Sequence, residues 1–268
     1  MAKYSEDFTP QEMIVVAGSR TLIDNKVVFA GTGLPMVAIT LAQLTHGPGI
    51  VPVFEAGAVG PELSRGLPLS VGGSRTTYKA NYLLGLNSAF ELTQRGFCDF
   101  GFIGGAEIDP YGNLNSTMMG SFPESYQKPK TRLPGSGGAS DMACSCERTI
   151  IIMVHEPRRF NEKIDYITSP GYLDGSPNAR WRAGHAGQGP YRVITTKAIM
   201  GFDDETKRMK LIATLPGETV KSVQEATGFE LIIPDDVYAF EPPTVEEVRL
   251  IREVIDPKGY FVRKKIKE

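Results

Sequence analysis

The chain has 268 residues, of which 41% are hydrophobic and 22% charged, and its formal net charge is -2. This composition is ordinary for a globular protein, and the length suffices to bury one large core or two lobes without disulfides. The near-neutral charge lacks the basic footprint of a nucleic-acid-binding protein, and no block of like charge marks a membrane surface. Because no apolar run approaches membrane-spanning length and the amino terminus is not signal-like, we expect a cytoplasmic enzyme.

The cysteines and histidines give no sign of a metal site. Three cysteines, Cys98, Cys144 and Cys146, fit a reducing compartment and are too few for a disulfide framework. The Cys-Ser-Cys segment at 144–146 has no second Cys or His pair at zinc-like spacing. The histidines are scattered, and we interpret His155 as a structural residue at the end of a strand.

The first elements along the chain predict a βαβ unit. A helix, a strand, a second helix and a second strand are expected over residues 8–22, 27–30, 35–46 and 50–54. Thr9 is the expected N-cap of the first helix, with Pro10 at the first helical position. Because the two strands should be parallel, we expect the turn Gly31-Thr32-Gly33 and the residue Glu55 at one edge of the sheet.

The rest of the chain alternates strands and helices without repeats or a clear linker. Strands are expected over residues 100–103, 150–154, 193–195, 199–202 and 208–214. Helices are expected over residues 87–95, 222–227 and 244–254, and a hairpin turn over 203–207. The prediction is one α/β domain spanning residues 1–268, with an open, mostly parallel sheet flanked by helices and a carboxyl-terminal extension of hairpins and helices.

The most informative single residue is Glu55, which follows an apolar run and enters the turn Ala56-Gly57-Ala58. An apolar, β-branched run of this length is typical of a buried parallel strand. Ligands bind beyond the carboxyl ends of such strands in open α/β sheets, so Glu55 is a candidate catalytic carboxylate. The alternative, equally weighted for an isolated match, is a turn glutamate that points into solvent.

Two polar loops favour the functional interpretation. In the segment 102–117 a short strand breaks into Asp-Pro-Tyr-Gly-Asn, which is turn chemistry, and Asn113 and Asn115 could hydrogen-bond a carboxylate or an amide. A simple hairpin is the plainer interpretation of that segment. The later loop Gly135-Ser136-Gly137-Gly138-Ala139 presents backbone N–H groups that suit an anion or an oxyanion. It lacks the Lys-Ser/Thr ending of a nucleotide-binding P-loop.

Together, the strand-end glutamate, the Gly-Gly-Ala-x-x-Asp-x-x-Gly-Asn-x-Asn loop and the Gly-Ser-Gly-Gly-Ala loop resemble the β subunits of class I coenzyme A transferases, in particular the glutaconate type. The resemblance extends over most of the chain. It includes residues 31–35, 103–117, 130–139, 155–171, 227–229 and 251–257.

The resemblance implies a CoA-transferase/NagB-like fold and an enzyme that moves CoA between an acyl-CoA and a carboxylic acid, with a glutaconate-like dicarboxylate favoured. Glu55 matches the family's nucleophile, which carries CoA as a glutamyl-CoA thioester. The catalytic oxyanion donors it implies are the backbone N–H groups of Gly137, Gly138 and Ala139. The implied substrate and CoA contacts are Gly31, Gly33, Gly57, Asp109, Asn113, Asn115, Gly135 and Ser136. The CoA thioester is a substrate, and neither a bound cofactor nor a metal is implied.

Other activities stay open beside transfer. Relatives in the same family open a ring by hydrolysis or decarboxylate a CoA ester, with the nucleophilic glutamate replaced, and Glu55 could serve such an enzyme as a general base or be a bystander. A non-catalytic scaffold or regulatory subunit is the third possibility.

The resemblance also implies an obligate α subunit, because the family forms its site between two related subunits or fused halves. We therefore expect this chain to be inactive alone. Arg65, Arg75 and Arg132 are candidates for binding a distal carboxylate of the substrate, although ordinary surface arginines are the plainer interpretation. The arginine-rich segment 176–189 is interpreted mainly as variable surface.

Overall fold

The computed structural model describes residues 3–63 and 66–262. The helices are α1 (Pro10–Thr21), α2 (Leu34–Leu44), α3 (Leu86–Gln94), α4 (Ala139–Ser145), α5 (Ala179–Arg182), α6 (Val220–Glu225) and α7 (Val245–Arg249). Short 3-10 turns occupy Ser74–Thr77 and Pro157–Arg159, and a π-helical segment, Leu250–Ile255, continues α7. Arg65 lies outside the described residues.

Fourteen strands are present in the described part of the chain. They are β1 (Val27–Ala30), β2 (Val51–Phe54), β3 (Ala58–Val59), β4 (Tyr82–Leu83), β5 (Phe100–Ile103), β6 (Glu107–Ile108), β7 (Leu114–Asn115), β8 (Met118–Met119), β9 (Thr131–Arg132), β10 (Arg148–Met153), β11 (Gly189–Thr195), β12 (Ala198–Phe202), β13 (Met209–Thr214) and β14 (Tyr238–Ala239).

The chain divides into two compact units. The first comprises Met1–Leu92, Phe97–Phe102 and Glu241–Glu268, and the second comprises Thr93–Gly96 and Ile103–Phe240. The prediction of a single domain spanning the whole chain stays a prediction.

In the first unit the strands follow the order β5, β1, β2, β3, β4. β1 pairs in parallel with both β5 and β2, while β3 and β4 add an antiparallel edge. The apolar strand residues are buried, including Phe29 of β1 and Phe54 of β2, as expected for parallel strands covered on both faces. The predicted βαβ unit is confirmed, because α2 connects the parallel strands β1 and β2.

The first helix is fixed at its amino end by the residues that predicted it. Thr9 Oγ1 accepts the N–H of Glu12 at 3.1 Å, and the Glu12 carboxylate accepts the N–H of Thr9 at 2.7 Å, which is the predicted capping box. Glu12 is 1% exposed, and both of its oxygens accept hydrogen bonds from Arg252, at 2.6 and 2.9 Å. This ion pair ties the carboxyl-terminal helical segment to α1.

In the second unit the strands follow the order β10, β11, β12, β13, β14. β10 pairs in parallel with β11, whereas β11, β12 and β13 form antiparallel pairs. The predicted turn at 203–207 connects β12 to β13, with Asp203 and Arg208 joined by a backbone hydrogen bond of 2.8 Å. Two small hairpins, β6–β7 and β8–β9, complete the unit.

Two predicted boundaries differ from the structure. β11 begins at Gly189 rather than at residue 193, because the polar residues Tyr191 and Arg192 interrupt the apolar pattern on which the prediction rested. α6 begins at Val220 and ends before Thr227, since Thr219 caps it by accepting the N–H of Ser222 at 3.1 Å. The other predicted elements are present within two residues at each end.

Candidate active site

The carboxyl edge of the first unit places the glycine turn beside Glu55. Ala30 of β1 and Phe54 of β2 are partners in the parallel register. Gly31 and Glu55 are the residues that follow them, so these two lie on neighbouring strands, whose spacing is about 4.8 Å. The structure thus brings together the predicted edge residues of this unit.

The turn that carries Glu55 is held by backbone contacts that require glycine. The N–H of Gly57 donates to the Phe54 carbonyl, and the Gly57 carbonyl accepts the N–H of Leu84, both at 2.8 Å. Gly57 has φ +110°, and a Cβ there would lie 1.9 Å from the Leu84 carbonyl oxygen. Only glycine fits this position, so the backbone at 84 fixes the turn next to Glu55.

The Glu55 side chain is not used by the fold. It is half-buried, and within residues 3–63 and 66–262 its carboxylate makes no hydrogen bond and no ion pair. A half-buried carboxylate without a protein partner is available to attack a ligand or to accept a proton.

The same edge holds the amino terminus of α2. Gly33, with φ +101°, occupies the N-cap, and neither a side-chain cap nor an acidic residue in the first turn satisfies the helix. The free N–H groups and the helix dipole favour negative charge at this end. Gly31 and Gly33 therefore lead into an anion-favouring helix end at the carboxyl edge, although their contact with substrate or CoA stays a prediction.

In the second unit the segment 107–115 forms the hairpin β6–β7, as the plainer interpretation had it. The Asp109 carboxylate accepts the N–H groups of Tyr111 at 2.9 Å and Asn113 at 3.0 Å, and the Asn113 Nδ2 at 2.7 Å. Burial nevertheless raises the pKa of Asp109 to about 6. Asn113 also donates to the Leu173 carbonyl and accepts the N–H groups of Gly171 and Leu173, so its amide is fully occupied.

Asn115 is occupied in the same way. Its Nδ2 donates to Glu107 Oε2 at 2.5 Å and to the Met118 carbonyl at 2.6 Å, while its Oδ1 accepts the N–H groups of Thr117 and Met118. The buried Glu107 receives a further hydrogen bond from Asn161. Asp109, Asn113 and Asn115 thus organise the loops in this conformation, and their predicted contact with substrate or CoA stays a prediction.

The glycine-rich loop is joined to this hairpin. The N–H of Gly135 donates to the Ser116 carbonyl at 2.8 Å, and Ser116 Oγ donates to the Gly135 carbonyl at 2.9 Å. Gly135 and Gly137 have φ +96° and +49°, with open space where a Cβ would stand. The two polar loops predicted to act together therefore do lie together within the second unit.

The three predicted oxyanion donors differ in availability. The N–H of Ala139 donates to the Ser136 carbonyl at 3.0 Å. In the described part of the chain, the N–H groups of Gly137 and Gly138 donate to no protein acceptor. Gly137 and Gly138 are therefore better placed than Ala139 to receive an anion, and the catalytic role of all three stays a prediction.

His155 has the structural role expected from its sequence position. It is 3% exposed, and its ring nitrogens make hydrogen bonds with Thr195 Oγ1 at 2.9 Å and Thr227 Oγ1 at 3.1 Å. The ring also stacks on Phe160, with centroids 4.1 Å apart. Burial lowers the pKa of His155 to about 4, so the imidazole is neutral at pH 7.

The candidate arginines contact protein carbonyls. Arg75 donates to the Gly66 carbonyl at 3.0 Å, and Arg132 donates to the Tyr126 carbonyl and lies over the Tyr126 ring. Both are exposed, so pairing with a substrate carboxylate stays a prediction.

The described residues contain no candidate for a membrane or metal function. Between residues 3–63 and 66–262, no helix is long and apolar enough to cross a membrane, and no group of three or more His, Cys, Asp and Glu could hold a metal ion.

Comparison with known proteins identifies relatives along nearly the whole chain. The family described as coenzyme A transferase matches residues 11–226. The chain is 40% identical to one of the named subunits of glutaconate CoA-transferase from Acidaminococcus fermentans, with 98% of each chain covered. It is 35% identical to the corresponding subunit of 3-oxoadipate CoA-transferase from Pseudomonas knackmussii, covering 91% of this chain and 92% of that protein.

The crystal structure of the Acidaminococcus fermentans glutaconate coenzyme A-transferase is similar to this fold. The TM-score is 0.89 at 38% identity, and the match covers 98% of this chain and 100% of that one. The predicted α/β fold and the predicted family resemblance are both confirmed by these matches.

Proposed function

The chain belongs to the coenzyme A transferase family, and from this premise we propose that it is the glutamate-bearing subunit of a hetero-oligomeric CoA-transferase. The observation that carries the proposal is the Glu55 carboxylate, which stands at the carboxyl edge of β2 and, among the described residues, has no protein partner. A family member that transfers CoA needs a carboxylate nucleophile, and this side chain has no structural task to give up.

In the proposed reaction the Glu55 carboxylate attacks the carbonyl of an acyl-CoA thioester and expels the CoA thiolate, which leaves an acyl-glutamyl anhydride. The thiolate attacks the glutamyl carbonyl of the anhydride, releases the first carboxylic acid and forms a glutamyl-CoA thioester. The acceptor carboxylate then attacks this thioester, and the same two steps run in reverse. No water and no redox partner enters, so the acyl-CoA bond energy is conserved.

Each attack passes through a tetrahedral oxyanion. We assign its stabilisation to backbone N–H groups, with Gly137 and Gly138 favoured because their N–H groups donate to no acceptor in the described chain and that of Ala139 is occupied. Loss of one oxyanion donor costs about 3–4 kcal/mol of transition-state stabilisation in comparable sites.

The proposed substrate is a dicarboxylic acid. The relatives at 40% and 35% identity are named for glutaconate and 3-oxoadipate, both of which carry two carboxylates. A second carboxylate requires a cation or N–H groups in the site, and Arg75 and Arg132 are the described candidates that this chain offers. A panel of mono- and dicarboxylic acceptors tests the assignment, because it predicts that matched monocarboxylates are poor acceptors.

The proposed partner is an α subunit, because the relatives are named as individual subunits of CoA-transferases. In the first unit, the edge strand β4 exposes Tyr82 (67%) and Leu83 (63%), and Leu86 follows at 51%. Such a run on an edge strand is a site for association. We propose that the partner covers it, since the adjacent Leu84 holds the turn of Glu55. Tyr82→Ser with Leu83→Ser should release the partner in size-exclusion chromatography, and an intact complex would refute this assignment.

The test of the proposed function is Glu55→Gln in the complex with its partner. We expect wild type to show ping-pong kinetics and the variant to lose about 10⁴-fold or more in kcat. Glu91→Gln is the matched control, because Glu91 is an exposed glutamate of the same unit, and it should retain activity.

The same assay separates the alternatives. Free acid or CO2 released without an acceptor would indicate a hydrolase or a decarboxylase, with Glu55 as general base or bystander. Full transferase activity of the Glu55→Gln complex would indicate that this chain does not supply the nucleophile.

A further inference from the structure

The second unit contains a cavity of about 820 Å³ at the amino-terminal ends of β10 and β11. This volume is within the range of small-molecule sites. The side chains that give it chemical character are Arg148, Trp181, Tyr191, Arg192, Lys207 and Lys210.

The cavity carries an excess of positive charge. Arg148 donates to Gln188 Oε1, Arg192 to the Tyr191 carbonyl and Lys207 to the Asp204 carbonyl, so these cations are held by neutral groups. In the described residues none of these three forms an ion pair with a carboxylate, and neither does Lys210. Among the described lining residues Asp204 is the one carboxylate. Clustered cations without counterions repel one another, and an anion that enters relieves the repulsion.

Two of the cations flank a position without a side chain. Gly201 of β12 is the register partner of Lys210 in β13, and a Cβ on Gly201 would lie 3.2 Å from Arg192 Nη1. Arg192 and Lys210 therefore stand on either side of bare backbone, on strands about 10 Å apart. Two anionic groups of one ligand can span that distance.

Aromatic rings complete the lining. The guanidinium of Arg192 lies 3.8 Å and that of Arg148 5.0 Å from the centre of the Tyr191 ring, so one ring orients two donor forks. Trp181, the only tryptophan of the chain, is 78% exposed at the cavity. An exposed indole beside clustered cations is suited to stack on a planar ring.

We propose that this cavity binds a phosphorylated small molecule that carries a planar ring. Arg148, Arg192 and Lys210 bind the phosphates, because guanidinium forks and ammonium groups match phosphate oxygens, and Trp181 stacks on the ring. A free nucleotide and the nucleotide end of a CoA ester share this chemistry. The inference goes beyond the proposed transfer reaction, in which none of these residues takes part.

The single tryptophan provides the measurement. The full-length chain is titrated with ADP, CoA, adenosine and pyrophosphate while Trp181 fluorescence is recorded. ADP and CoA should both give a saturable change, adenosine should bind at least tenfold more weakly than ADP, and pyrophosphate should displace ADP. Equal affinity for ADP and CoA identifies a free-nucleotide site, whereas at least tenfold tighter binding of CoA identifies the nucleotide end of a CoA ester.

Charge-matched variants locate the site. Arg192→Gln with Lys210→Gln should weaken ADP binding at least tenfold, whereas Lys163→Gln with Lys221→Gln removes two exposed charges outside the cavity and should change it less than twofold. Circular dichroism verifies that both variants fold. Glu55→Gln should bind ADP as wild type does, so a failed transferase assay leaves this test intact.

Three results would overturn the inference. The first is no saturable response to ADP or CoA, and the second is ADP binding that the Arg192 and Lys210 substitutions leave unchanged. The third is calorimetry in which the complex with the partner fails to take up ADP although the chain alone does, because the cavity would then be covered by an interface with that partner.

Discussion

Replacing Gly57 by alanine tests whether the backbone at residue 84 positions the catalytic turn. The new Cβ would stand 1.9 Å from the Leu84 carbonyl oxygen and 2.5 Å from its carbonyl carbon. These are main-chain atoms of the segment that follows β4, so a side-chain rotation cannot relieve the overlap. The turn must move, and Glu55 moves with it.

The cost of Gly57→Ala has two parts. A left-handed φ of +110° costs a non-glycine residue about 1–2 kcal/mol. Overpacking against fixed neighbours adds about 1–3 kcal/mol. The free energy of unfolding should therefore fall by about 2–5 kcal/mol, which lowers Tm by about 4–20 °C for a chain of this size. A displacement of Glu55 by about 1 Å should reduce kcat about 10²-fold.

Gly85→Ala is the matched control for this experiment. Gly85 lies in the same segment, its φ is not left-handed, and nothing lies within 4 Å of a Cβ built there. Thermal unfolding by calorimetry and kcat of the complex should be near wild type for Gly85→Ala and reduced for Gly57→Ala. A Gly57→Ala protein that melts within about 1 °C of wild type and keeps its kcat would refute the reasoning.

Two further predictions concern buried charge. Arg252→Gln leaves the Glu12 carboxylate, 1% exposed, without its cation and should lower the free energy of unfolding by about 3–5 kcal/mol in urea titrations, whereas Arg249→Gln, at an exposed pair, should cost less than about 1 kcal/mol; equal losses would contradict the argument. Because burial lowers the pKa of His155 from 6.5 to about 4, its neutral form stabilises the fold fully above pH 6.5, and about 3 kcal/mol is lost as pH falls to 4. The difference in unfolding free energy between wild type and His155→Gln should shrink over that window, and a pH-independent difference would disprove it.

The position of Glu55 could be predicted because its signals are local. An apolar run gives the buried strand, the small residues after it give the turn, and the preceding helix makes the strands parallel. The role of Asn113 could not be predicted in this way. Its amide is filled by Gly171 and Leu173, which are about 60 positions away in the sequence, and no local pattern specifies such a contact.

The basic cavity was also beyond sequence reasoning. Arg148, Arg192 and Lys210 belong to three strands, and only the register of β11, β12 and β13 brings them to one site. Each is an unremarkable cation in its own segment. The exposed Trp181 within an arginine-rich segment was the one available signal, and it was interpreted as variable surface.

The central claim is that Glu55 becomes covalently attached to CoA. The most direct measurement is the mass of the intact chain and of its peptides, taken after the complex with the partner has been incubated with an acyl-CoA and no acceptor. We predict an adduct equal to CoA minus one water on the peptide that contains Glu55, and its loss when an acceptor acid is added. Free CoA and free acid without any adduct on that peptide would contradict the claim.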